Sequence, residues 1–225
     1  MKRLWRIALV LVVLLLAADF GAKLLVQNLA ANALSSRRGV NGSVDVSFTG
    51  FPFLLALMDR NFSSVTVEAE DVRSGGFVTG GSVGPATEAR LASVRLELDD
   101  VAVVGDVWRD DAKGRVTAVS GRGSARLTQQ SLNGLVPAQY SARLTLRDGS
   151  IRVTASSQLG TQEVEVPESD VRLDGSTLVV QAPSPVDAIS IPLPEMAPGV
   201  TFEGFDVTDG GLDLELTLRD VELKL

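Results

Sequence analysis

From Val40 onward apolar and polar residues alternate with a period of two. Val44, Val46 and Phe48 alternate with Ser43, Asp45 and Ser47, and Val65, Val67 and Ala69 with Thr66, Glu68 and Glu70. Val94, Leu96 and Leu98 face away from Arg95, Glu97 and Asp99, and the run Leu212, Leu214, Leu216, Leu218 is the clearest of all. Alternation of this kind predicts half-buried antiparallel strands. Asp148-Gly149, Asp174-Gly175 and Asp209-Gly210 supply turns, the first as a two-residue hairpin loop. At Arg219-Asp220 the phase slips, because Val221 and Leu223 resume the alternation on odd numbers, which predicts a bulge or bend. The body is expected to be a long antiparallel meander.

Ahead of the strands the period is helical. Ala22, Leu25, Val26, Leu29, Ala30, Ala33 and Leu34 recur on one face over residues 20–36, with Lys23, Gln27, Asn28, Asn32 and Ser35 opposite. Arg37, Arg38 and Gly39 stand where a helix would stop. This face either packs on the sheet that follows or lies on a membrane surface. Two apolar or polar-capped blocks interrupt the strands. Gly50 to Met58 is an apolar block of helical type, and Thr128 to Val136 predicts a second short helix stopped by Pro137. Residues 183–199, rich in proline, predict an irregular link.

At the amino end Lys2, Arg3 and Arg6 precede an unbroken apolar run from Ile7 to Ala18. Twelve helical residues reach roughly 18 Å, against roughly 30 Å of bilayer hydrocarbon. That length suits a signal-peptide core, while a tilted anchor recruiting Leu4, Trp5 and Phe20 is the alternative; both export the body. The division expected is a signal or anchor over residues 1–19 and one domain over 20–225.

Composition narrows the chemistry. Apolar residues make up 45% and charged residues 22%, a globular balance. The chain has no His and no Cys, which excludes Ser-His-Asp triads, Cys nucleophiles, disulfides and the common zinc sites. Its net charge is −7, and the basic amino end leaves −10 on the rest, so no footprint for nucleic acid exists. Asp99-Asp100 and Asp110-Asp111 are paired carboxylates, yet adjacent residues on a strand point to opposite faces and make no dyad alone. Lys113 lacks a Ser-x-x-Lys setting, and Gly75-Gly76 and Gly80-Gly81 lack the Lys-Ser/Thr ending of a phosphate loop. No metal or other cofactor is expected. The block at 51–58 is different in kind: Phe51, Phe53, Leu54, Leu55, Leu57 and Met58 exceed what one face of a short helix can bury. The surplus is either ordinary core, a lipid site, or an exposed patch.

Gly50-Phe-Pro-Phe-Leu54 followed by Val65-Thr-Val-Glu-Ala-Glu70, then Ile191-Pro-Leu-Pro194, Ala197-Pro-Gly-Val200, Val207-Thr-Asp-Gly-Gly-Leu212 and Arg219-Asp-Val-Glu-Leu223, resembles the LmeA-like phospholipid-binding family of actinobacterial envelopes. The likeness runs over nearly all of the chain after residue 20. It implies an α+β fold of the tubular lipid-binding kind, with a long curved antiparallel sheet wrapped around the amino-terminal helix. It also implies phospholipid binding outside the cytoplasmic membrane in support of lipoglycan or envelope maintenance, with Phe51, Pro52, Phe53 and Leu54 at or near the groove. Leu25, Leu29, Leu57 and Met58 join them as expected lipid contacts, from the helical face and the apolar block. Phospholipid and a membrane surface are the expected partners, and no catalytic residue is implied. A carboxylate-based hydrolase of envelope lipid or glycan, or a structural β-rich wall protein, are the competing expectations.

Overall fold

The computed structural model describes residues 2–35, 42–73, 90–105, 115–157, 160–183, 188–194 and 198–224. Three expectations lie outside these residues: the Arg37–Gly39 helix stop, the glycine pairs at 75–81, and the Asp110-Asp111 pair with Lys113.

One continuous helix, α1 (Lys2–Ser35, 34 residues), joins the apolar run to the amphipathic stretch. Next come β1 (Val44–Thr49), α2 (Phe53–Asp59), β2 (Asn61–Arg73), β3 (Arg90–Val104) and β4 (Arg115–Thr128). After α3 (Gln129–Leu135) follow β5 (Ala142–Arg147), β6 (Ser150–Ser157), β7 (Gly160–Pro167), β8 (Val171–Asp174) and β9 (Thr177–Val180). The chain closes with β10 (Ile189–Pro192), β11 (Val200–Thr208) and β12 (Gly211–Lys224). The strands form a six-stranded sheet in the order β1-β2-β3-β4-β12-β11 and two three-stranded sheets, β5-β6-β7 and β10-β9-β8. Every pairing is antiparallel.

The expected meander is therefore interrupted. β12 pairs with β4 across an intervening segment that builds both small sheets, and β10 is a strand inside what the prolines marked as an irregular link. Pro192 fits there because it is the last residue of a strand at a sheet edge, where a missing N–H costs no ladder bond. The Asp-Gly turns do their expected work: Arg147 pairs with Ser150, Asp174 with Thr177, and Thr208 with Gly211, with Gly149, Gly175 and Gly210 all at positive φ.

The phase slip at Arg219-Asp220 is one point on a line that crosses four strands. Phe62, Val101, Ala118 and Val221 stand opposite one another and are buried; three residues along each strand Val65, Leu98, Gly121 and Leu218 do the same. Between them each strand turns two residues in succession away from the core. Asp100 and Asp220 accomplish this at φ of 51° and 48°, a left-handed conformation that a short polar side chain tolerates. Asp71, at φ 52°, repeats the pattern between buried Ala69 and Val72. Strands that change phase in step bend the sheet as a whole.

Beyond the first line, β4 runs along the buried face with Gly121, Gly123 and Ala125. Leu96 and Leu98 of β3 lie across this narrow strip: a Cβ added at Gly123 would stand 2.6 Å from the Leu96 Cδ2. The opposite face carries exposed ion pairs such as Arg95–Glu68 and Arg126–Asp213. Pairs so exposed contribute about 1 kcal/mol at most, so this face is solvated rather than structural.

α3 substitutes for a strand at the edge of β5. Asn133 donates from Nδ2 to the Leu144 carbonyl and accepts the Leu144 N–H, both at 2.7 Å, and the Gln129 side chain accepts the N–H of Leu146. Thr128 caps the helix by accepting the Ser131 N–H, which explains why the short helix begins there.

Candidate functional site: the α1–α2 corner

The apolar block at 51–58 divides into two halves by helical periodicity. Phe53 points inward and is 2% exposed. It meets Phe48 of β1 and Phe62 of β2, with ring centroids 5.6 and 5.9 Å away, and those two rings stand 4.9 Å apart. Leu54 is half-buried, and Ala56 and Leu57 pack against the core from the same helix. The other half faces out. Leu55 and Met58, one helical turn apart at i, i+3, are 56 and 78% exposed, and Phe51, just ahead of the helix, is 71% exposed. Pro52, also exposed, is the residue at the amino end of α2.

α2 is held at both ends. Pro52 offers no side-chain oxygen to the first turn. The acceptor comes from α1 instead: the Leu54 N–H donates to Asp19 Oδ1 at 2.7 Å. Asp19 is the only acid before Asp45, and burial to 8% exposure is tolerable because its oxygen sits on a helix amino end. At the other end Arg60 takes a left-handed conformation at φ 53°, its carbonyl accepts the Val103 N–H, and its guanidinium donates to the Gly105 carbonyl. Asp19→Ala is expected to loosen α2 and cost about 1–2 kcal/mol, while Asp19→Asn, which keeps an oxygen acceptor, recovers most of it. Amide hydrogen exchange at Leu54 reads this directly, and unchanged protection in Asp19→Ala would show that the bond does not hold the helix.

α1 rests on β1 and on α2. Its inward stripe is Ala22, Val26, Ala30 and Ala31, narrower and smaller than the sequence face implied. Leu25 and Leu29 are a correction to that face: they are exposed at 62 and 45%, because short alanine side chains let the helix approach β1 closely and leave the wider leucines outside the contact. Leu16, Phe20 and Leu24 are exposed as well. Of the expected lipid contacts, the structure thus gathers Phe53 and Leu57 on the core side of α2 and leaves Leu54 half-buried outside that contact. Phe51, Pro52 and Met58 lie on its outer side, and Leu25 and Leu29 on the outer side of α1. Asp19, which ties α2 to α1, is the residue of this corner that the sequence reading does not single out. The signal for Asp19 was available, since a lone acid among 44 residues otherwise free of acids must find a partner when it is buried.

A cleft of about 530 Å³ lies elsewhere, between the β2–β3 end of the large sheet and α3. Asp71, Arg90, Thr128, Gln130, Ser131 and Leu135 are among its walls. Its one carboxylate, Asp71, binds Arg90 through two hydrogen bonds, and this partner pushes the Arg90 guanidinium's pKa up and keeps it charged. Asp99 and Asp100 are both exposed at the sheet bend. Among the described residues no cluster of three or more acids is placed to hold a metal ion, and no helix is long and apolar enough to cross a membrane.

A family model described as LmeA-like phospholipid-binding matches residues 17–217 of the 225. No curated protein and no solved structure matches the chain.

Proposed function

The chain belongs to the LmeA-like phospholipid-binding family, and on that premise we propose that it is an exported protein holding or transferring phospholipid in the cell envelope. It acts at the outer side of the cytoplasmic membrane, anchored by or released from its apolar amino end, and supports envelope lipid or lipoglycan maintenance. The observation that carries this reading is the match itself, which takes in the second half of α1, all of α2 and almost the whole large sheet.

The physical chemistry of the corner supports it. Lipid acyl chains require apolar side chains that are not already committed to one another, and half-buried Leu54 of α2 and exposed Leu25 and Leu29 of α1 are not packed into the core. A sixteen-carbon chain removed from water gains on the order of 12 kcal/mol before ordering costs, so no charged partner is needed. An acidic body therefore poses no obstacle. Holding a lipid is a binding equilibrium, and the reading assigns no reacting group.

Purified full-length protein is expected to carry phospholipid that organic extraction releases and mass spectrometry identifies, and to take up a fluorescent phospholipid in solution. Protein that carries none and takes up none would refute the reading.

A further inference from the structure

The geometry points to the outer face of the α1–α2 corner as a docking surface for an anionic phospholipid bilayer. This inference rests on the lipid-binding reading and adds the partner from which lipid would be drawn. Leu55 and Met58 project from α2, Phe51 from the chain just ahead of it, and Leu16, Phe20 and Leu24 from α1, the helix to which α2 is tied at Asp19. Exposed large apolar side chains on two adjoining helices mark a surface that has a partner.

Two features identify the partner. The first is continuity. α1 runs without a break from these exposed residues back into Ile7–Ala18, where the sequence has no polar side chain, and a helix apolar all round belongs in a core or in lipid. The second is charge. α1 carries Lys2, Arg3, Arg6 and Lys23 against Asp19 alone, while the remainder of the chain carries −10 of the total −7. Beside the exposed residues of α1 only Asp19 and Lys23 are charged and they cancel, so anionic head groups repel the acidic body but not this corner, which orients the corner toward the bilayer. A second copy of the chain would instead bring two strongly acidic bodies together. Docking does not require α1 to span the bilayer. It requires only that the exposed side chains enter the boundary between head groups and acyl chains.

The chain has no cysteine, so one introduced thiol carries a label uniquely. Phe51→Cys, Leu55→Cys and Met58→Cys would each be given an environment-sensitive fluorophore, with Val119→Cys, exposed on the solvated face of β4, as reference. The full chain would be reconstituted with vesicles of phosphatidylcholine and phosphatidylglycerol. A quencher fixed to long acyl chains is expected to dim the three α2 labels several-fold more than the Val119 label, and iodide to do the reverse. Equal iodide access at all four positions would overturn docking. So would shielding of the α2 labels from both quenchers, because a second copy would then be the cover. Quenching by a short-chain spin-labelled phospholipid without vesicles would also overturn it, since those side chains would then line the lipid-holding site; that outcome leaves the lipid-binding reading intact. Membrane-buried α2 labels on a protein that carries no extractable lipid would refute that reading and leave docking standing.

Discussion

Phe53→Ala will lower the stability of the protein by about 3–5 kcal/mol, whereas Phe51→Ala, two residues earlier in the same motif, will leave it within about 0.5 kcal/mol. The difference follows from what each ring touches. Phe53 is the inner ring of a trio with Phe48 and Phe62, so truncation leaves a cavity facing two aromatic rings from two strands. Each lost aromatic contact adds about 0.5–1.5 kcal/mol to the transfer term, which places the cost in the upper part of that range. For a domain with about 5–15 kcal/mol in total, this is roughly a fifth or more of its stability. Phe51 has little to lose in the folded state because its ring is mostly in water. Chemical denaturation of both variants by circular dichroism checks the pair. Equal costs would mean that the division of the block into an inner and an outer half is wrong. Phe53→Asp is the more drastic change, since an unpaired carboxylate would enter the aromatic cluster, and loss of lipid uptake in that variant would follow from unfolding of the corner.

Gly121→Val is expected to cost about 3 kcal/mol, at the upper end of overpacking penalties. A Cβ at Gly121 would stand 2.5 Å from the carbonyl oxygen of Glu97 and 3.2 Å from the Leu98 Cδ2. The nearer atom is backbone in the neighbouring strand, so relief demands that β3 and β4 separate. Valine adds two methyl groups to the same space. Gly134→Ala in α3 provides the contrast, because nothing lies within 4 Å of its added Cβ; helix propensity alone should make that variant more stable by roughly 0.5–1 kcal/mol. Thermal melts compare them. A Gly121→Val protein as stable as the parent would show that β4 does not run tightly beneath Leu98.

Much of this architecture was legible along the chain. Period-two runs announced β1, β2, β3 and β12 because each strand has one solvated and one buried face, and this leaves its mark residue by residue. Three Asp-Gly pairs announced three turns for the same local reason. The slip at Asp220 was visible too, but only as a local irregularity; that it lies in register with Asp100, and with the matching bend in β2 and β4, depends on pairings between residues more than a hundred positions apart. Nor could the alternation tell that β12 would join β4 instead of a strand nearer in sequence. A polar-out, apolar-in strand is an acceptable neighbour to any other, and the choice is made by how the whole buried face closes.

The α1–α2 corner divides along the same line. By itself the sequence determined that residues 51–58 hold more apolar side chains than a short helix can bury, and that the amino-terminal segment is helical with a basic start. Which of those side chains would face inward was not determined, because a seven-residue helix has no polar face to orient it. Tertiary structure decided that. The Asp19 carboxylate and the Phe48–Phe62 pair fix the rotation of α2, which turns Phe53 into the core and leaves Phe51, Leu55 and Met58 outside. Likewise alanines, not leucines, face β1 from α1, because close approach of a helix to an edge strand selects small side chains. Local periodicity reports that a residue is apolar; only the packing of distant elements decides whether that apolar surface is used up or left over for a ligand.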